Sequence, residues 1–290
     1  MARAPPLQGG CRGFESLWAH VNKPTVAELA DLLEKRYPKS LAVEWDVVGL
    51  ITGNQELLLD KILLTVDITK EVIQEAIDSS VNLIISHHPI ILDSNENSDI
   101  QSKRLELKSI IEKNSIALFV LHTNADIAIN GVNDSFAELL GLKEVRAIGT
   151  EKMARIGLLP VEMTLKELAK KIQEILPSNK SAIQVSGILN QKIKTVALCG
   201  GSGSSLLEQI RQTEAEVYVT ADLKHHVVSD NKTMNGPCLI SVSHWASEWV
   251  WLPQLKQQLE NDFKLIGKNT EIVVSNIVTD PWDYSLGFDK

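Results

Sequence analysis

A chain of 290 residues, 44% of them hydrophobic, is long enough to bury a large core as one or two domains. Its 29 basic and 37 acidic residues give a formal charge of −8 without a dense Lys/Arg block, which argues against nucleic-acid wrapping and leaves room only for a local basic pocket. Three scattered cysteines exclude a disulfide framework or a cysteine zinc site and fit a reducing cytoplasm, and no apolar run approaches the roughly 20 residues that span a membrane.

Residues 1–22 carry Pro5, Pro6, Gly9 and Gly10 and lack the apolar stretch of a secretory signal. They are expected to form a disordered extension, dispensable and outside the fold, as a start site placed too early would leave. Order begins where Thr25 and Glu28 form a capping box ahead of the apolar helical stripe Val26, Leu29, Leu32 and Leu33. The stretch 44–51 reads as a polar-aromatic turn running into a short strand. A buried strand is expected at 62–66, after which Asp67 and Thr69 offer caps for a helix carrying Val72, Ile73 and Ala76.

The block 81–85 suits a buried parallel strand, and it ends abruptly in Ser86-His87-His88-Pro89. Pro89 cannot donate to a ladder, so the strand should stop there and leave both histidines at a carboxyl end, where open α/β sheets place their ligands. In such a turn two imidazoles can diverge from one spot and hold different ions. Taken alone, a His-His pair is more often an ordinary surface or hydrogen-bonded pair. A polar loop at 93–99, a helix near 105–111 and a strand at 116–121 follow. That strand ends in His122-Thr123-Asn124-Ala125-Asp126, and the β-α-β-α-β order so far implies a largely parallel sheet.

A second unit begins near Gly131 with a helix at 132–140 and a strand at 155–159. Thr164 and Glu167 make another capping box for a helix reaching 176, and strands are expected at 182–185 and 195–199. The run Gly200-Gly201-Ser202-Gly203-Ser204-Ser205 either cradles an anion with backbone N–H groups or turns tightly from strand to helix. It is not a Walker A loop, because no Gly-Lys-Ser/Thr follows. After a helix to about 211 and a strand at 217–220 come Asp222, His225 and His226. The last two either contact substrate and its chemistry or belong to an ordinary polar loop. A strand at 239–242 leads to His244 and Glu248, which open the last long helix. A strand at 272–274 closes the chain, and Trp245, Trp249 and Trp251 read as packing residues.

His244 and Glu248 are four apart, so a helix puts them on one face, and a carboxylate at Asp126 can bridge two cations. Together His87, His88, Asp126, His244 and Glu248 supply three imidazoles and two carboxylates. That set is too nitrogen-rich for calcium or magnesium and lacks thiolate, so it suits zinc, manganese or iron. Five protein ligands shared between two divalent metal ions leave open positions, as a catalytic site requires.

The chain resembles the Nif-three-like proteins, dinuclear-metal α/β proteins often labelled GTP cyclohydrolase I type 2 homologues. The resemblance runs over about 25–285 and is carried by Trp45-Asp46 with Gly49-Leu50 and by Ser86-His87-His88-Pro89. It continues in His122-Thr123-Asn124-Ala125-Asp126, Arg155-Ile156-Gly157, Cys199-Gly200-Gly201-Ser202-Gly203, and His244 with Glu248. It implies that His87, His88, Asp126, His244 and Glu248 bind the two ions. It further implies two related αβ domains with mostly parallel sheets, the metal site in the cleft between them, and a toroidal homohexamer. On that basis 23–128 plus 241–290 would form the first domain and 129–240 the second. Val47, Leu92 and Ala221 depart from the usual pattern, where Asn, Phe and Gly are common, and none of them is a metal ligand. Two functions are implied. One is a metal-dependent hydrolase of a small-molecule substrate, GTP if the label holds, with His225 or His226 beside the substrate. The alternative is a non-catalytic, metal-dependent scaffold or regulatory protein.

Overall fold

A computed structural model gives the fold over residues 22–90 and 98–286. The expected disordered extension, apart from Asn22, and most of the loop expected at 93–99 lie outside the described residues. In chain order the elements are α1 (Val26–Arg36), β1 (Gly49–Thr52), β2 (Lys61–Thr65), α2 (Lys70–Asp78), β3 (Leu83–Ser86), α3 (Ser98–Lys113), β4 (Ala117–Val120), α4 (Thr123–Ile127) and α5 (Val132–Leu140). Then come β5 (Lys143–Ile148), β6 (Ala154–Thr164), α6 (Leu165–Ile175), β7 (Gln184–Ser186), β8 (Lys192–Ser202), α7 (Leu207–Arg211), β9 (Val217–Ala221) and α8 (His225–Thr233). The chain closes with β10 (Cys238–Ser241), α9 (His244–Trp249), α10 (Leu252–Leu265) and β11 (Glu271–Val274).

Both capping boxes form as the sequence dictates: Thr25 accepts from the Glu28 N–H and Thr164 from the Glu167 N–H, and each glutamate reaches back. The fold is α/β, with two sheets. The first runs β1-β4-β3-β2-β11, parallel throughout except for β1 at one edge. The second runs β5-β6-β8-β9-β10-β7. Its centre, β8-β9-β10, is parallel, while β5, β6 and β7 pair antiparallel.

The apolar blocks explain this layering. Successive strand residues point to opposite faces. Ile62, Leu64, Leu83 and Ile85 enter the main core, whereas Leu63 and Ile84 meet Val72, Ile73 and Ala76 of α2 on the other side. The main core runs on from the first sheet through Phe136 of α5 to Val196, Leu198, Val217 and Val219 of the second. Buried on both faces, such strands read as unbroken hydrophobic runs.

Four elements differ from expectation. Thr69 alone caps α2, accepting from the Val72 N–H, and Asp67 is used elsewhere. Strand β8 runs through Gly200, Gly201 and Ser202, and the expected strand at 155–159 lengthens to the eleven residues of β6. The last long helix is broken into α9 and α10 at Val250 and Trp251. Pro253, near the start of α10, explains the break: it has no N–H to offer the Trp249 carbonyl, and its ring clashes there in a continuous helix.

Candidate metal centre

The parallel strands of both sheets deliver their chemistry at their carboxyl ends. His87 and His88 follow β3, His122 and Asp126 follow β4, and Asp67 follows β2; from the second sheet, Asp222 follows β9 and His244 opens α9 after β10. Ser243 caps α9 by accepting from the Ala246 N–H, which fixes His244 and Glu248 on one face a turn apart.

Every imidazole in the cluster is oriented by a partner behind it. His87 donates from Nδ1 to the Leu121 carbonyl at 2.8 Å, and His88 donates from Nδ1 to Asp67 Oδ1 at 2.7 Å. His122 does the same to Asp46 Oδ1 at 2.8 Å, and His244 to Asp222 Oδ2 at 2.6 Å. An acceptor on Nδ1 fixes the tautomer and leaves Nε2 for a metal. The Nε2 atoms of His87, His88 and His244 turn toward Glu248. His244 Nε2 lies 2.9 Å from Oε1, His88 Nε2 3.1 Å from Oε2, and His87 Nε2 3.5 Å from Oε1.

The floor of the cluster is buried and incomplete in its bonding, while His88 and His244 stay partly exposed toward the cavities beside it. His87 is 1% exposed and Glu248 4%. His87 Nε2, Asp126 Oδ1 and Glu248 Oε2 are buried without hydrogen-bond partners. Such orphans are costly unless something else satisfies them. Two groups of ligand atoms are compact enough to hold an ion, His87-His88-His122 and His88-His244-Glu248. A set rich in imidazole, with carboxylate and no thiolate, fits a first-row divalent metal.

Without a cation, the charges compensate one another. Burial works against the Glu248 carboxylate, but His88 and His244 hold its pKa well below the usual range. Burial likewise opposes charge on His88 and His244, while Glu248 with Asp67 holds the first up to about 10 and Glu248 with Asp222 holds the second up to about 11. Burial pushes the buried His87 down. Burial and then the neighbouring Glu248 carboxylate push Asp126 well above its ordinary value. The site is thus a nest of protons and carboxylates that a divalent ion would displace or neutralise.

All five sequence-predicted ligands are brought together. The sequence reading placed the bridging carboxylate at Asp126, but Glu248 is the one reached by three imidazoles. Asp126 comes within 3.7 Å of His87 alone. His225 and His226 are not brought to the cluster: they open α8, are exposed, and line neither of the two cavities beside it. The glycine-rich run is no anion cradle. Its Gly200 and Gly201 N–H groups are spent on Asn133 Oδ1 and Ser247 Oγ. Instead it lets a strand pass close under α9, since a Cβ on Gly201 would lie 2.3 Å from Glu248 Oε1.

Sequence reasoning missed His122 as a candidate ligand and Asp46, Asp67 and Asp222 as the acceptors behind three histidines. The available signal was positional, because His122, Asp67 and Asp222 each follow a strand end. Asp46 stood in a quoted motif. Its side chain is fully buried; burial opposes its charge, yet His122 and Thr123 hold its pKa down to about 2.

The sequence profile of the family described as Duf34/NIF3 (NGG1p interacting factor 3) matches residues 24–281. A Streptomyces coelicolor protein named GTP cyclohydrolase 1 type 2 homolog is 34% identical over 267 residues, covering 89% of this chain and 94% of that one. Two solved structures share the fold. A Staphylococcus aureus hypothetical protein has 31% identity and a TM-score of 0.81 over 91% of this chain and 100% of that one. A Bacillus cereus protein related to NIF3 has 25% identity and a TM-score of 0.82 over the same shares.

Proposed function

The chain belongs to the Duf34/NIF3 family, and from that premise we propose that it is a dinuclear, metal-dependent hydrolase of a small molecule. The carrying observation is that four imidazoles have Nδ1 spent on fixed acceptors while three buried polar atoms at the cluster lack partners. His87, His122 and Asp126 would serve one ion and His88 and His244 the other, with Glu248 reaching both; zinc, manganese or iron suits these donors. When bound, such ions supply Lewis acidity and an acidified water.

The remaining duties fall to the chain itself. Asp46, Asp67 and Asp222 keep a proton on Nδ1 of His122, His88 and His244, so those rings present a lone pair at Nε2 and cannot rotate away. Trp45, 61% exposed and edge-on to His122 with ring centroids 6.0 Å apart, borders a cavity of about 500 Å³ over the cluster. That volume suits a small organic substrate, for which pockets run from about 300 to 1,000 Å³. The name carried by the relatives would make the reaction a GTP ring opening; on this chain the hydrolase class is the reading the residues support.

The return of β11 to the first sheet supports a division into 23–128 plus 241–290 and 129–240, with the cluster between the two units. Assembly as a toroidal hexamer is the family expectation, and light scattering at micromolar concentration tests it. Among the described residues no helix is long and apolar enough to cross a membrane.

The deciding experiment combines elemental analysis of purified protein with a metabolite-depletion screen. Two equivalents of a first-row metal and saturable, chelator-sensitive consumption of a metabolite are expected. Tightly held metal with no turnover across a broad panel would return the protein to the alternative, a non-catalytic metal-dependent scaffold.

A further inference from the structure

Beside the cavity over the cluster lies a larger one of about 620 Å³, and His88, His244 and Asp67 border both. Its far wall is the segment 279–285, which is tied to the machinery of the centre. Thr279 donates to Asp67 Oδ2, on the same carboxylate that orients His88. Asp280 accepts from Ser181 Oγ at 2.9 Å and from Ser243, the residue that caps the helix carrying His244 and Glu248. Anything bound against this wall is therefore held in fixed relation to the centre.

The lining has a definite chemistry. Trp282 presents an indole that is 66% exposed. The Gln184 side-chain amide forms no hydrogen bond with the described residues, and Asp222 spends only Oδ2, on His244. Asp67, Asp222 and Asp280 border the cavity together with His88 and His244, and among the described residues no lysine or arginine does. An exposed indole is a stacking platform for a planar ring. A free carboxylate oxygen and a free amide oxygen receive N–H donors.

We propose that this cavity is the specificity pocket of the metal centre. It takes a planar nitrogen heterocycle bearing N–H donors, laid against Trp282 with its donors toward Asp222 and Gln184. The assignment rests on the hydrolase reading for its purpose, since a ring lodged here points its other end toward His88 and His244.

The test uses the full chain loaded with metal and two probes that share a ring and differ in N–H donors, nicotinamide and N,N-dimethylnicotinamide. Ligand-observed saturation-transfer NMR gives the affinities, and elemental analysis of the same samples gives the metal content. Saturable nicotinamide binding is expected, with N,N-dimethylnicotinamide, which has no N–H to donate, several-fold weaker. Trp282→Ala should weaken nicotinamide by about tenfold, within the range for losing one ring–aromatic stack, and leave the metal content unchanged. Gln184→Ala should weaken it less. Equal binding of the two probes, no saturable binding of nicotinamide, or an affinity indifferent to Trp282→Ala would overturn the assignment. Failure of the hydrolase reading looks different: nicotinamide would still bind in a Trp282-dependent way to a protein that consumes no metabolite.

Discussion

Replacing Gly201 by alanine tests the centre without touching a ligand. Gly201 has φ +64, and a Cβ there would lie 2.3 Å from Glu248 Oε1 and 3.2 Å from His244 Nε2. Ordinary contact begins at 3.4 Å, so the carboxylate must retreat by roughly 1 Å. Metal–ligand distances tolerate about ±0.2 Å, and Glu248 already sits within 3.5 Å of three imidazoles, so it cannot move that far and keep them all. The expected loss of metal affinity is at least the ~10–100-fold seen when a partner behind a ligand is removed. The left-handed backbone adds its own strain of about 1–2 kcal/mol. Gly267→Ala isolates that term, because Gly267 has φ +69 and nothing within 4 Å of its would-be Cβ. Both variants should lose a few degrees of Tm, but only Gly201→Ala should lose metal in a chelator competition read by elemental analysis. Gly201→Ala with its full complement at wild-type affinity would refute the placement of Glu248.

Other outcomes follow from the same geometry. In metal-stripped protein His88 and His244 sit at about 10 and about 11 against an ordinary 6.5, so folding takes up protons. The stability they confer is complete below 6.5 and declines as pH rises toward 10. Tm of the stripped form should fall across that window, whereas the metal-loaded form, with those protons displaced, should change less; parallel curves would contradict this. His122→Ala should cost about one metal equivalent and spare the His88-His244-Glu248 group, and Asp46→Asn should weaken the same ion without removing it, both read by elemental analysis. Burial raises the pKa of both Cys199 and Cys238, so neither should be alkylated by iodoacetamide in the folded protein at neutral pH, as checked by mass spectrometry.

Much of the fold was legible because its signals are local. Two capping boxes mark helix starts to the residue, and the apolar blocks at β2, β3 and β4 declare strands covered on both faces. Where the reading slipped, a long-range partner was responsible. Strand β8 continues through two glycines because Asn133 of α5 and Ser247 of α9 supply acceptors for their N–H groups. Asp67 looks like a cap by position, yet His88 and Thr279, 21 and 212 residues away in sequence, claim its two oxygens.

The same asymmetry governs the centre. Its candidate ligands were readable because a metal demands particular atom types, and those types stand in short, dense motifs at strand ends. The acceptors behind the ligands are only required to offer an oxygen in the right place. A backbone carbonyl at Leu121 meets that requirement for His87 as well as Asp46 does for His122. The choice between Asp126 and Glu248 as the central carboxylate was hidden for a further reason. Asp126 reaches the cluster from β4 in the first sheet, whereas Glu248 projects from α9 over β8 in the second, and only the approach of the two sheets decides which one stands among the imidazoles. Gly201 records that approach in the sequence: a residue with no side chain is what allows a strand of one sheet to pass within 2.3 Å, measured from its absent Cβ, of the carboxylate that both halves of the site share.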